Sequence, residues 1–588
     1  MINFSQNQRD YINSSLEKNI HLRACPGAGK TEVIAAKVAY EMTKWTRFPA
    51  GLAVLSFSRS ATAELNDRIT KVRRGNSNVF PHFVGTVDSF ILKHIVTPLA
   101  HAVTGYAGCD GDYTLRVVGP EALNFHRAKY PIAHQTIPAN RYDWDAATGR
   151  YIFWHSSDAM RRKLNSAVLE GWQIKDLQNA KQRFNAAGFA TYKDVERLAI
   201  VILTEPKFKA RIALLVERFP SIIVDECQDL SAEQIAIFAH LADMGVRFHL
   251  VGDLDQAIYG FRNCFPETVK GFIARIGCDA MPLAENYRSG QAIVDLHGKL
   301  INADKAEGRR DYAPVTCYLV EYANCPSEVL GQFDALAAGH GDAVIVARGH
   351  STLARLRAPD PEPGPVQLIA AAIIAFNSSA PSALHSALSL FSRYLTANCM
   401  DCDTLGEDFY FRPAEIESAE TWHRFLADCL SELSKHGLDD QEISWKLWCK
   451  KLKNALPNLA AVVCNEAACQ LILDTMQTKR HPAPANQGDE KVDDVAQQKH
   501  FLRNGGRRLA TIHEVKGETH DLTMLVSSIK QGEASHWKEW IDDPQSEAAR
   551  FAYVASSRPR HILIWAVKAV STADRKKLFA LGFQSFTG

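Results

Sequence analysis

"LRACPGAGKTEVIAAK", Leu22 to Lys37, passes from a short apolar segment through a glycine-containing turn into residues with helical spacing. A strand, a glycine turn and a helix in that order make a phosphate-binding loop, because amide groups at a helix start point inward at an anion. Gly27 and Gly29 let the backbone approach phosphates. Lys30 is placed to reach the β- and γ-phosphates and Thr31 to offer its hydroxyl to Mg²⁺. Ala24 stands where the strict pattern G-x-x-x-x-G-K-[ST] begins with glycine. Alanine is small enough for a tight turn there if φ stays negative. The predicted nucleotide loop is therefore Ala24, Cys25, Pro26, Gly27, Ala28, Gly29, Lys30 and Thr31.

Such a loop needs a second metal anchor on a neighbouring strand. "SIIVDECQD", Ser221 to Asp229, supplies it. An apolar strand ends in Asp225, suited to hold Mg²⁺ through water, and Glu226, suited to orient or deprotonate the attacking water. Together the two stretches specify nucleoside triphosphate hydrolysis but not what it drives.

The 588 residues suffice for three or four domains of ~150 residues each. A net charge of +1 does not announce a nucleic-acid binder, although a local basic groove can coexist with it. No basic start precedes an apolar N-terminal stretch, so no signal peptide is expected. The longest apolar run, Leu368 to Phe376, falls short of the ~20 residues of a membrane helix. Thirteen scattered cysteines fit a reducing cytoplasm, and a cytoplasmic location is expected. Strand and helix signals alternate over the first ~90 residues, return at "SIIVDECQD" and "VRFHLVGDLDQ", and resume from "MPLAENYRS". The sequence thus predicts an α/β fold of two parallel-sheet lobes, each carrying a mostly helical insertion. Residues 1–99 and 206–280 are assigned to the first lobe and 100–205 to its insertion. Residues 281–357 and 506–588 are assigned to the second lobe and 366–505 to its insertion.

Further segments follow one another in a recognisable order. "FSQNQRDYI", "LSFSRSATAEL", "VGTVDSF", "DECQD", "VGDLDQAIYGFR", "LAENYRS", "LATIHEVKGE" and "ARFAYVASSRPR" resemble the successive motifs of the UvrD/Rep/PcrA family of superfamily 1 helicases. The resemblance spans Gln8 to Arg558 and leaves only the insertions uncovered. It implies two RecA-like lobes and an ATP-dependent DNA helicase that moves 3′ to 5′ on single-stranded or tailed duplex DNA. It assigns Gln8 and Tyr287 to the adenine, Gln256 to sensing the γ-phosphate, and Arg288 and Arg558 to reaching that phosphate from the second lobe. Phe57, Thr86, Tyr259, Phe261, Arg262 and His513 would line the strand path, where aromatic faces stack on bases regardless of sequence.

The chain also departs from the family pattern. Cys25 replaces a glycine, Ala28 a serine or threonine, Asp88 a histidine and Phe261 a tryptophan. In "KGETHD" the family's ribose-contacting glutamate falls on Thr519, with Glu518 one position early, and Glu518 is taken as the candidate. The compact body and atypical second insertion resemble the helicase-like subunit of Gabija anti-phage systems, which implies a partner nuclease in a hetero-oligomeric complex. An alternative is a regulatory subunit whose ATP- and DNA-dependent state controls that nuclease with little processive unwinding. Cys399 and Cys402 have metal-ligand spacing, but a second tight pair is lacking, and free thiols are expected. The 21 histidines form no nuclease constellation, so no nuclease site is expected on this chain. No membrane partner is expected.

Overall fold

The computed structural model describes residues 4–586 except 74, 76, 123–125, 146–147, 261–263, 313–315, 357–363, 379–380, 406–409, 417, 485–487, 493–502 and 505–506. The chain divides into two compact units. One comprises residues 1–99, 196–359 and 502–588, and the other residues 100–195 and 360–501.

The first unit contains two large sheets and a small one that pairs Glu285–Gly290 with Glu307–Arg309. The N-terminal sheet has the order Asp279–Leu283, Ile20–Ala24, Arg247–Gly252, Ser221–Val224, Leu52–Ser56, Phe83–Thr86, all parallel. Leu52–Ser56 and Ser221–Val224 are apolar apart from one terminal serine each. Every residue of Leu52–Ser56 and of Ser221–Val224 is buried, as expected for strands covered on both faces. The segment "MPL", read from sequence as the start of the second lobe, belongs here. Asp279–Leu283 adds to the free edge of Ile20–Ala24 in parallel register, so this sheet continues to Leu283.

The second sheet has the order Arg503–Asn504, Arg507–Thr511, Ala343–Ala347, His520–Val526, Pro559–Lys568, Thr316–Tyr322, Gln584–Ser585. Only the first of these is antiparallel to its neighbour. One face packs on Trp540, Phe551, Tyr553 and Trp565, the other on Phe333, Leu353 and Met524. This is the expected α/β class, with two parallel RecA-like sheets. Open parallel sheets bind ligands beyond the C-terminal ends of their strands. The phosphate loop, Asp225–Glu226 and Asp253–Gln256 all leave the first sheet at such ends.

The second unit combines the two inserted stretches into one body. Residues 360–501 are mostly helical around Trp422, Trp445 and Trp448. The 100–195 stretch adds a hairpin, Tyr142–Asp145 with Arg150–Phe153, whose Tyr142 and Phe153 pack on Phe184 and Leu177. Buried Lys181 joins it by 2.9 Å bonds to both Asp143 and Asp194. Arg127 and Arg141 of one stretch face His423 of the other, and burial with these cations lowers that imidazole to about 4. Among the described residues no helix is long and apolar enough to cross a membrane.

Candidate nucleotide site

The phosphate loop is held open by two left-handed glycines, Gly27 at φ +72° and Gly29 at φ +74°. A β-carbon at residue 27 would stand 2.6 Å from Asn286 Oδ1 and 2.7 Å from Arg288 Cβ, so this glycine is required by space as well as by conformation. Gly29 caps the helix Lys30–Lys44. Ala24 is still the last residue of its extended strand and is buried, which removes any need for glycine there. The Cys25 amide donates to Leu283 O at 3.0 Å and the Tyr287 amide to Gly27 O at 2.9 Å. Burial pushes the Cys25 thiol up to about 12.

Gln8 supports the loop from behind. Its Nε2 donates to Ala28 O at 3.1 Å, and its Oε1 accepts from the Ser5 amide at 3.0 Å within a capping box. Both ends of that amide are thus engaged by the protein.

A cavity of about 600 Å³ opens in front of the loop. Residues 26–31, Ser56, Asp225, Glu226, Gln256, Tyr287, Arg288, Lys516, Thr519, Arg558 and Arg560 are among its walls. Lys30 lies 3.7 Å from Glu226 Oε1. Burial opposes its charge, but Glu226, Asp253 and Asp225 outweigh burial and raise its pKa. Asp225 is pushed up to about 7 by burial and by neighbouring Glu226. Burial also opposes ionisation of Glu226, yet Lys30, Lys516 and Arg558 keep it ionised and lower its pKa. Glu226 sits at φ +54°, an uncommon conformation for a non-glycine residue that clusters at functional positions. Gln228 Nε2 fixes its carboxylate at 2.5 Å.

The second sheet and the short strand Glu285–Gly290 contribute cations. Arg558 is 2% exposed; its Nη2 donates to Gln256 Oε1 at 3.1 Å and its Nε to Val554 O at 2.8 Å. Arg288 Nη1 donates to Ser557 O at 3.0 Å, and burial together with Arg558 pushes Arg288 down to about 9. Lys516, given no role in the sequence reading, holds Asp229 at 2.6 and 2.7 Å and donates to Gln256 O at 3.0 Å. Its ammonium also lies 4.6 Å from the centre of the Tyr259 ring. Asp253, likewise missed, accepts from Gln256 Nε2 at 2.8 Å and Tyr553 OH at 2.9 Å. The one signal for both was their place inside motifs already quoted.

Glu518 is not in the cavity wall. Its carboxylate takes Arg508 Nη2 at 2.7 and 2.9 Å and lies 3.1 Å from His520 Nε2, whereas Thr519 faces the cavity. Tyr287 is 37% exposed at the cavity mouth, with its hydroxyl on Glu285.

Of the residues expected along a nucleic-acid path, Phe57, Tyr259 and His513 come together. Phe57 stacks on Tyr259 with ring centres 5.2 Å apart, Tyr259 meets His513 at 5.5 Å, and His513 meets Phe551 at 5.4 Å. The Arg348 guanidinium covers Phe551 at 3.9 Å. The Thr86 hydroxyl caps the turn Val87–Phe90. Phe261 and Arg262 lie outside the described residues. Cys399 is buried, donating to Tyr394 OH at 3.7 Å, and Cys402 is exposed. Among the described residues no group of three His, Cys, Asp or Glu is arranged to hold a metal.

The site fits a Mg²⁺–triphosphate. Thr31 and Asp225 offer hard oxygens, the loop and the second-sheet cations suit an anion, and the buried Ser56 hydroxyl on the cavity wall has no bonding partner. These features define a two-lobed P-loop nucleotide-binding protein. Residues 4–276 match the model of the UvrD/REP helicase N-terminal domain. DNA helicase II of Haemophilus influenzae is 25% identical over 313 residues, 51% of this chain and 40% of the relative. The ATP-dependent DNA helicase srs2 of Schizosaccharomyces pombe is 26% identical over 325 residues, 52% of this chain and 35% of the relative. DNA helicase II of Escherichia coli is 25% identical over 302 residues, 50% and 39% of the two chains. Residues 4–276 are thus similar to the N-terminal domain of UvrD-like helicases, and the chain's matches span 35 to 40% of these three relatives' length.

Proposed function

We propose that the chain hydrolyses ATP to move along single-stranded DNA and to open duplexes, as an ATP-dependent DNA helicase. The observation that carries this is the seam through Gln256. On one side its side chain bonds Arg558 at the nucleotide cavity. On the other its carbonyl bonds Lys516, which covers Tyr259 in the aromatic row. Occupancy of the cavity therefore bears on the residues suited to stack on bases. The names of the three relatives above, all DNA helicases, support the same reading.

Lys30 and the loop amides bind the phosphates, and Thr31 and Asp225 would hold a Mg²⁺ that would supply positive charge against them. The Glu226 carboxylate, kept ionised by Lys30, takes the proton of the attacking water. Arg288 and Arg558 meet the charge that develops on the transferred phosphoryl group. Tyr287 stacks at the cavity mouth against the adenine. Phe57, Tyr259 and His513 contact the strand, and Arg348 continues that row on the second sheet. Gln8 acts through Ala28 by holding the loop.

Single-stranded DNA should raise ATP turnover of the wild-type chain. Glu226→Gln should lower it by roughly 10²- to 10⁴-fold while nucleotide binding persists. Unstimulated turnover, or full turnover in the variant, would refute the motor reading. Strand displacement should favour 3′-tailed over 5′-tailed duplexes. A partner nuclease and an anti-phage role rest on the sequence resemblance alone, and co-purification from the native host tests them.

A further inference from the structure

Ser56 is the last residue of the strand Leu52–Ser56 and has no exposed surface. Its hydroxyl is buried and lacks a hydrogen-bond partner among the described residues, yet Ser56 is one of the residues that line the nucleotide cavity. A buried hydroxyl without a partner costs free energy, so such groups are retained where something else bonds them. The register of the sheet narrows what that is. Leu55 pairs with Val224, and the Asp225 amide donates to Leu55 O at 2.8 Å, which sets Ser56 beside Asp225 at the same strand ends. Thr31 and Glu226 line the same cavity. Neighbouring cavity side chains bond elsewhere: Arg68 pairs with Glu32 and Glu64, Lys30 lies by Glu226, and Gln256, Lys516 and Arg558 are engaged in the seam.

We propose that Ser56 is a positioning residue for the metal: its hydroxyl bonds a water in the hydration shell of the Mg²⁺ that Thr31 and Asp225 hold. Mg²⁺ gives up its waters reluctantly and retains several in nucleotide sites, so a second-layer hydroxyl beside a carboxylate has a ligand to orient. The inference rests on the nucleotide-site reading above.

The test compares wild type with Ser56→Ala, measuring the affinity of a fluorescent ATP analogue in MgCl₂ and in EDTA, and thermal unfolding without nucleotide. The inference expects Ser56→Ala to weaken binding in MgCl₂ by about five- to tenfold, the worth of one such bond, and to leave binding in EDTA unchanged. It also expects the unliganded variant to melt no lower than wild type, because the deleted hydroxyl had no partner. Equal affinities in MgCl₂ overturn the inference while the nucleotide reading stands. So does an equal loss in MgCl₂ and EDTA, which would mean a general distortion of the loop. A lower melting temperature without nucleotide would mean that Ser56 is bonded within the protein, and also overturns it. Failure of wild type to bind the analogue sinks both readings.

Discussion

The two sheets of the nucleotide-binding unit contribute opposite chemistry to one cavity. The N-terminal sheet supplies amides, hydroxyls, Lys30 and the carboxylates Asp225, Glu226 and Asp229. The second supplies Lys516, Arg558 and Arg560, and the short strand Glu285–Gly290 supplies Arg288. Neither half is electrostatically complete. Glu226 stays ionised partly through Lys516 and Arg558, and burial together with Arg558 depresses Arg288. An anion at the cavity would relieve the crowding of guanidiniums, so a nucleotide favours the two halves together. That coupling separates a motor from a nucleotide-binding scaffold.

The comparison breaks most sharply at Arg558. Arg558→Ala should lower ATP turnover by about 10³-fold or more, the range of an arginine that meets a transferred phosphoryl group. Nucleotide affinity should change far less, because the loop and Lys30 remain. A proportionate loss of affinity and turnover would mean that Arg558 serves binding alone. Its bond to Gln256 gives a second readout: stimulation by single-stranded DNA should fall as well.

Why the N-terminal half was legible in sequence and the other less so follows from how each is built. Gly27, Gly29, Lys30 and Thr31 lie on consecutive backbone that makes its own anion site, so local pattern suffices. Asp225 and Glu226 terminate a strand recognisable by its apolar run. Lys516 has no such local signature. Its importance lies in reaching Asp229 and Gln256, 287 and 260 residues away, and in covering Tyr259. Gln8 was legible as a motif residue, but its bonds to Ser5 and Ala28 are tertiary facts. The strand Asp279–Leu283 carries three polar or small residues in five and is mostly exposed, so only its pairing partner reveals which sheet it joins.

Lys516 offers a smaller, more discriminating break. Removing one partner of a buried ion pair costs about 3–5 kcal/mol because the other charge is left unpaired. Lys516→Ala should therefore destabilise the unit, and Lys516→Met with Asp229→Asn should recover much of that loss. The double variant should still lack coupling between the sites, with DNA stimulation of turnover reduced about tenfold and basal turnover affected less. Retained stimulation in a stable double variant would remove Lys516 from the seam's function.

The smallest expected effect concerns Glu518. The resemblance places a ribose contact at this end of the cavity and leaves Glu518 or Thr519 to make it. The carboxylate of Glu518 is already committed to Arg508 and His520, and it takes no part in the wall. To reach a sugar it would have to abandon a charged pair that is partly screened by solvent and so worth about 1 kcal/mol or less. Thr519 needs no such rearrangement, but a hydroxyl is a weaker acceptor than a carboxylate. Glu518→Gln should thus change affinity for ATP and for dATP by less than about twofold, within what loss of an exposed ion pair allows. Thr519→Ala should narrow whatever preference exists for ATP over dATP. If Glu518→Gln alone abolished that preference, the carboxylate would have to leave Arg508 when nucleotide binds, and this end of the cavity would be rebuilt by its ligand rather than ready for it.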